Sequence, residues 1–143
     1  MATKSPLELV QEHSRIADNR HYTILFVDDD EKVLSALVRL FKKEKYSILT
    51  AQSASSAWTL LKKYKVNVIV TDNRMPKISG VELLKKTKVI YPDTIRIMLT
   101  GYADIDSVMK AVNEGAVYKF ITKPWNDQEI KLTIRLALTQ YKL

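Results

Sequence analysis

The sequence predicts an α/β domain built on a doubly wound, five-stranded parallel sheet. Three observations carry that expectation. From Tyr22 onward, short apolar runs and amphipathic helical patterns alternate five times, the signature of β-α units wrapped by helices on both faces. The runs are mostly continuous Val/Ile/Leu rather than alternating, as strands covered on both faces should be. Four of the runs also end on polar residues suited to phosphate chemistry: Asp28-Asp29-Asp30, Asp72, Thr100-Gly101 and Lys123-Pro124. If the strands lie parallel, these ends converge on the carboxyl edge, where such sheets bind ligands.

The first strand is read over Tyr22–Val27. Asp30 then N-caps a helix whose apolar positions are Val33, Leu34, Leu37, Val38 and Phe41. Ser47–Ala51 is a short strand, and Ser53 caps a second helix through Ala57, Trp58, Leu60 and Leu61. The third strand, Val66–Thr71, runs into Asp72 and a turn with Pro76. Ser79 starts a third helix through Val81, Leu84 and Ile90, stopped before Pro92. After the strand Thr94–Leu99, Asp104 is expected to cap a helix with Ile105, Val108, Met109 and Val112 on one face and Gly115 as its C′ stop. The last strand is Val117–Thr122. Asn126 with Glu129 resembles a capping box for the final helix. There Ile130, Ile134, Ala137, Leu138 and Tyr141 face the core, while Leu132 and Leu136 lie on another side and need a cover or stay exposed.

Composition narrows the function classes. A length of 143 residues fits one domain with a short appendage, and 46% hydrophobic content supports a real core. Residues 1–20 read as a leader, helical or disordered, ahead of a domain spanning 21–143. The chain has no cysteine, which excludes a disulfide scaffold and a thiolate metal site and is compatible with the cytoplasm. No apolar stretch approaches the ~18 residues of a membrane span. The net charge of +7 invites a nucleic-acid reading, but the lysines fall in pairs (42–43, 62–63, 85–86) along helices. Solvated helix faces account for them, so no direct nucleic-acid contact is expected.

The strand ends carry the chemistry. Adjacent aspartates raise one another's pKa when crowded, and a divalent hard cation relieves the repulsion. Mg²⁺ takes oxygen ligands, commonly one or two carboxylates plus waters and phosphate. Asp29 and Asp72 can supply carboxylates, with Asp28 holding a coordinated water. A carboxylate in that setting can attack phosphorus, with Lys123 as counter-charge to the phosphoryl group and Thr100 as a hydroxyl donor to it. Singly, Lys123 reads as a surface lysine and Thr100 as a strand-end hydroxyl. Their joint spacing reads otherwise.

With these residues in place, the sequence from about Tyr22 to Leu138 resembles a two-component response-regulator receiver domain. The resemblance implies the flavodoxin-like strand order 2-1-3-4-5. Asp28 and Asp29 match the acidic pair, Asp72 the phosphoacceptor, Thr100 the switch hydroxyl, Lys123 the family lysine and Phe120 the switch aromatic. It implies a metal shell completed by the backbone carbonyl of Arg74, and a cis Lys123–Pro124 bond. Leu99-Thr-Gly-Tyr102 and Tyr118–Trp125 are similar to receivers attached to HD-GYP-type effectors.

The function so implied is a cytoplasmic signalling switch rather than an enzyme. A histidine kinase or phosphotransfer protein passes a phosphoryl group to Asp72 in a Mg²⁺-dependent step. The readout falls on the fourth helix, last strand and last helix, through a homodimer or an effector. No output domain follows within the sequence, so it reads as a stand-alone receiver or part of a longer protein. Two alternatives stand beside this. A haloacid-dehalogenase-type phosphatase would use Asp28 as nucleophile, but its motif would end at Lys32 and no paired acids follow Lys123. A constitutive docking module would never be phosphorylated.

Overall fold

The structure, a computed structural model, describes residues 22–142. The expected leader, residues 1–20, lies outside them. Among the described residues, five strands, β1 (Thr23–Val27), β2 (Ser47–Ala51), β3 (Val68–Asp72), β4 (Ile95–Thr100) and β5 (Lys119–Thr122), alternate with five helices. The helices are α1 (Glu31–Leu40), α2 (Ala54–Lys63), α3 (Gly80–Ile90), α4 (Ile105–Asn113) and α5 (Asp127–Lys142), with a 3₁₀ turn at Tyr102–Asp104 ahead of α4. All strand pairs are parallel and the order is β2-β1-β3-β4-β5, as expected. Among the described residues no helix is long and apolar enough to cross a membrane.

Alternate residues of each strand feed one of two apolar layers. Ile24, Phe26, Val68, Val70, Ile97, Leu99 and Ile121 pack with Leu34, Leu37 and Phe41 of the α1 region and with Ile130, Ile134, Ala137 and Leu138 of α5. Leu25, Val27, Ile69 and Met98 face the other way, onto Ala57, Leu61, Leu83, Leu84, Val108 and Ala111 of α2–α4. Each fully buried aliphatic or aromatic side chain contributes about 1.5–3 kcal/mol, against about 0–1 kcal/mol for an exposed ion pair. The two layers therefore hold the strand ends in position, and the surface charges do not.

Most helix starts follow the residues expected to make them. Asp30 accepts from the Lys32 N–H, and Ser53 and Ser79 form capping boxes with Ser56 and Glu82. Asn126 Oδ1 accepts from the Glu129 N–H at 3.0 Å. Gly115, with φ +80°, takes the left-handed turn that ends α4. Asp104 differs: it makes no cap hydrogen bond, because its carboxylate is committed elsewhere. Four strands start later than their apolar runs suggest, β1 and β4 by one residue and β3 and β5 by two. Asn67, just ahead of β3, still bonds both neighbours through its backbone, its N–H donating to the Thr23 carbonyl and its carbonyl accepting from the Ile95 N–H, both at 2.9 Å. Its side chain also accepts from the Thr23 N–H at 2.8 Å. Val117 and Tyr118 precede β5 as part of the turn from α4. On α4 only Val108 and Ala111 are buried, while Met109 is exposed. Leu132 and Leu136 of α5 are about half exposed, at 50% and 49%. The side chain of Tyr141 lies outside the described residues.

Candidate functional site

Register alone brings the polar strand ends together. Val27 pairs with Thr71, Asp72 with Leu99, and Thr100 with Thr122. Asp28 therefore leaves β1 beside Asp72, while Lys123 leaves β5 beside Thr100, whose carbonyl accepts from the Lys123 N–H at 2.8 Å. The Lys123–Pro124 bond is cis, as the resemblance implied.

Lys123 closes the cluster. Its Nζ donates to Asp28 Oδ2 at 2.7 Å and lies 3.1 Å from Asp72 Oδ1. The Asp28 side chain is 2% exposed and that of Asp72 12%, so both carboxylates depend on this ammonium. Asp28 also accepts from the Asp30 N–H at 2.9 Å, which turns it inward. Asp29 is exposed, yet one oxygen from each of Asp28, Asp29 and Asp72 falls within 4.8 Å of the others. A hard cation with bonds of about 2.1 Å sets opposite ligands about 4.2 Å apart. Neighbouring ligands of the same ion stand about 3 Å apart, so three hard oxygen donors within 4.8 Å of one another are of the right type for Mg²⁺ and would draw together around it.

Burial pushes the Asp72 carboxyl above its ordinary value; Lys123 opposes this, and the charges on Asp28 and Asp29 reinforce it. Burial alone would lower the Lys123 ammonium, but its hydrogen bond to Asp28 and the charge of Asp72 outweigh it, and its pKa is raised. The cluster is short of positive charge: it holds three carboxylates, and the Lys123 ammonium pairs with two of them.

Thr100 is 1% exposed, and its hydroxyl donates to the Gly101 carbonyl at 3.2 Å. That bond is weak and easily exchanged. Phe120 is half-buried, paired with Met98 across β4–β5 and packed against the layer that includes α4. Arg74, two residues past Asp72, pairs with Asp104: its Nε donates to both carboxylate oxygens, at 3.2 and 2.9 Å.

The supporting roles of two residues escaped the sequence reading. Asn73, which is buried, accepts the Gly80 N–H on its carbonyl at 2.9 Å and the Val81 N–H on Oδ1 at 3.1 Å. It thus ties the strand end to the start of α3. At Gly80 any Cβ would overlap the Asp72 carbonyl oxygen and sit 2.9 Å from Asn73 Cα. The glycine permits a close approach of α3 to β3, where the sequence suggested only a helix opening.

The family-wide pattern for the response regulator receiver domain matches residues 24–135. The chain is 38% identical over 120 residues to the hydrogenase transcriptional regulatory protein HoxA of Cupriavidus necator, covering 84% of this chain and 25% of that protein. It is 35% identical to the transcriptional regulatory protein FixJ of Rhizobium meliloti, covering 81% of this chain and 56% of that one. The chain thus spans a quarter to about half the length of these relatives. Among solved structures it is similar to the signal receiver domain of an HD domain-containing protein from Pseudomonas fluorescens Pf-5, at 36% identity and a TM-score of 0.82, covering 86% of this chain and 98% of that one. With the matched pattern covering most of the chain and the strand order agreeing, the protein belongs to the response regulator receiver domain family of two-component systems.

Proposed function

We propose that this domain accepts a phosphoryl group on Asp72 from a phosphohistidine of a sensor kinase or phosphotransfer protein. The supporting observation is the Lys123 ammonium shared between Asp28 and Asp72 at register-matched strand ends. An Asp72 carboxylate oxygen attacks phosphorus while the P–N bond breaks, its electron pair returning to the imidazole nitrogen. Asp28, Asp29, Asp72 and the Arg74 carbonyl would hold Mg²⁺, which supplies positive charge toward the transferred oxygens. Lys123 then exchanges its Asp72 contact for a phosphoryl oxygen.

Modification replaces one negative charge by about two and adds acceptor oxygens. Thr100 exchanges its weak bond to Gly101 for a charge-assisted bond to phosphate, worth roughly 1.5–3 kcal/mol. That is enough to move a two-state equilibrium ~10- to 150-fold. Space vacated by the Thr100 side chain admits the Phe120 ring. The readout surface combines α4, β5 and α5, where Met109, Tyr118, Leu132 and Leu136 are exposed. A second copy or an effector covers them in the phosphorylated state. The function is signalling from the cytoplasm, with residues 21–143 as the receiver unit, and the output is a regulator or an HD-type effector of the kind its relatives carry. Asp72→Asn tests the assignment: incorporation of acid-labile phosphate from acetyl phosphate with Mg²⁺ should vanish, and incorporation at the wild-type level would overturn it.

A further inference from the structure

Two of the three lysine pairs, far apart in the sequence, meet in the fold. Two loops at the amino edge of the sheet, the edge opposite Asp72, repeat one pattern. Phe41-Lys-Lys-Glu-Lys45 leads from α1 to β2, and Leu61-Lys-Lys-Tyr-Lys65 leads from α2 to β3. Each opens on a buried apolar anchor, Phe41 or Leu61, and all six lysines are exposed. Each anchor stands six residues ahead of the residue that enters the sheet, Ser47 or Asn67. Those two flank β1: the Ser47 N–H donates to the Tyr22 carbonyl and the Asn67 N–H to the Thr23 carbonyl, both at 2.9 Å. With neighbouring strands about 4.8 Å apart, the loops are rooted about 10 Å from each other. Six lysines against one glutamate put five of the chain's seven net positive charges here. Among the described residues no carboxylate pairs with Lys42, Lys43, Lys45, Lys62 or Lys63, and Glu44 faces Arg135 of α5 at 4.0 Å. A helix end is stabilised by a nearby cation, but three per loop exceed that need.

We propose that this doubled lysine edge binds the phosphate backbone of double-stranded DNA without reading its sequence. Exposed ammonium groups gathered on one edge attract a polyanion and gain by releasing its condensed counterions. Lysine side chains rooted about 10 Å apart can reach both backbones that border a B-form minor groove, which is about 6 Å wide. A single strand would need several exposed rings as stacking platforms. Tyr64 is the one exposed ring of the two loops, with Lys63 Nζ already 5.4 Å from its centre, while Tyr46 is half-buried. An anionic membrane would be served by any basic patch, whereas two matched clusters at groove spacing favour a duplex. Asp93 of the α3–β4 loop lines a pocket of about 480 Å³ with Lys62, Lys63 and Lys65, and bounds the patch on that side. Binding at this edge is independent of the proposed phosphorylation of Asp72 at the other.

The test is fluorescence anisotropy of a labelled mixed-sequence duplex titrated with the full chain at about 50 to 200 mM salt. Four to six phosphate contacts predict a slope of log affinity against log salt of about −4 to −5. Lys42→Gln with Lys43→Gln, and separately Lys62→Gln with Lys63→Gln, should each flatten that slope by about 1–2 and weaken binding at least ~5-fold at the lowest salt. Lys32→Gln with Lys77→Gln removes the same charge from exposed positions at the other edge. It should change the affinity less than ~2-fold, because charges beyond a Debye length of about 10 Å are screened. Equal weakening by this control pair would overturn the site as an effect of net charge. Lys62→Arg with Lys63→Arg keeps the charge and should keep the slope; a loss equal to that of the glutamine pair would overturn the phosphate role. Unfolding followed by circular dichroism should stay within a few degrees of the wild type in every variant, which separates lost contacts from lost fold. Tighter binding to the single strand, or to phosphatidylserine vesicles, would overturn the duplex assignment, and a wild-type chain with no salt-dependent affinity for the duplex would overturn the site.

Discussion

Replacing Lys123 with methionine removes the ammonium that serves two buried carboxylates while keeping most of the side chain's volume. The wild-type ammonium lies 2.7 Å from Asp28 and 3.1 Å from Asp72, whose side chains are 2% and 12% exposed. Losing one partner of a fully buried pair costs about 3–5 kcal/mol. The Lys123 side chain itself is 26% exposed, so water reaches the gap and the cost falls to about 1–3 kcal/mol. At about 3–4 °C per kcal/mol for a domain of this size, thermal unfolding at neutral pH should drop by about 3–12 °C. The pH dependence identifies the cause. The raised Lys123 pKa means the wild-type advantage is complete below the unfolded lysine value and is lost only as pH rises through the folded one. On the acid side the penalty in the variant should shrink as the orphaned carboxylates take up protons. Mg²⁺ should raise the unfolding temperature of the variant more than that of the wild type, because the cation replaces the missing charge. Unfolding followed by circular dichroism at acid and neutral pH, with and without Mg²⁺, measures all of this. A loss of equal size at both pH values would refute the charge argument.

Other substitutions test other parts of the site. Burial holds the Asp72 pKa above its ordinary 3.8, so the folded state binds the proton more tightly than the unfolded one. Stability then falls as pH rises from the unfolded value through the folded one. Asp72→Asn should accordingly stabilise the metal-free protein at neutral pH, with the gain lost below pH 3.8; urea titrations at both pH values that show no difference would contradict it. Gly80→Ala should cost about 1–3 kcal/mol through overpacking and slow phosphate uptake from acetyl phosphate, since the displaced groups are the Asp72 carbonyl and Asn73; unchanged unfolding and uptake would show that α3 yields freely. Leu132→Glu with Leu136→Glu should leave the unfolding temperature within a few degrees and abolish any phosphorylation-dependent self-association seen by light scattering. Association that survives would place the readout surface elsewhere.

The meeting of Asp28, Asp72, Thr100 and Lys123 was legible in the sequence because it follows from strand period and strand ends, while the strand order came from the family resemblance. Parallel pairing in simple register then does the rest: Asp28 needs only to follow the residue paired with Thr71 to lie beside Asp72. What was not legible depends on distances between elements. Ser53 and Ser79 cap their helices as local chemistry dictates, but Asp104, an equally suitable residue, is drawn off by an arginine 30 positions away. Gly80 looked like helix punctuation, whereas its role is set by how closely α3 approaches the Asp72 carbonyl. Asn73 carried no periodic signal, since its two bonds to α3 exist only once the β3–α3 loop has folded back.

The central claim is that Asp72, and not another acid of the cluster, receives the phosphoryl group. After incubation with acetyl phosphate and Mg²⁺, borohydride reduction converts an aspartyl phosphate to homoserine, and peptide mapping locates it. The account predicts homoserine at position 72 alone. Homoserine at position 28, the nucleophile of the phosphatase alternative, or no reducible site at all, would contradict it.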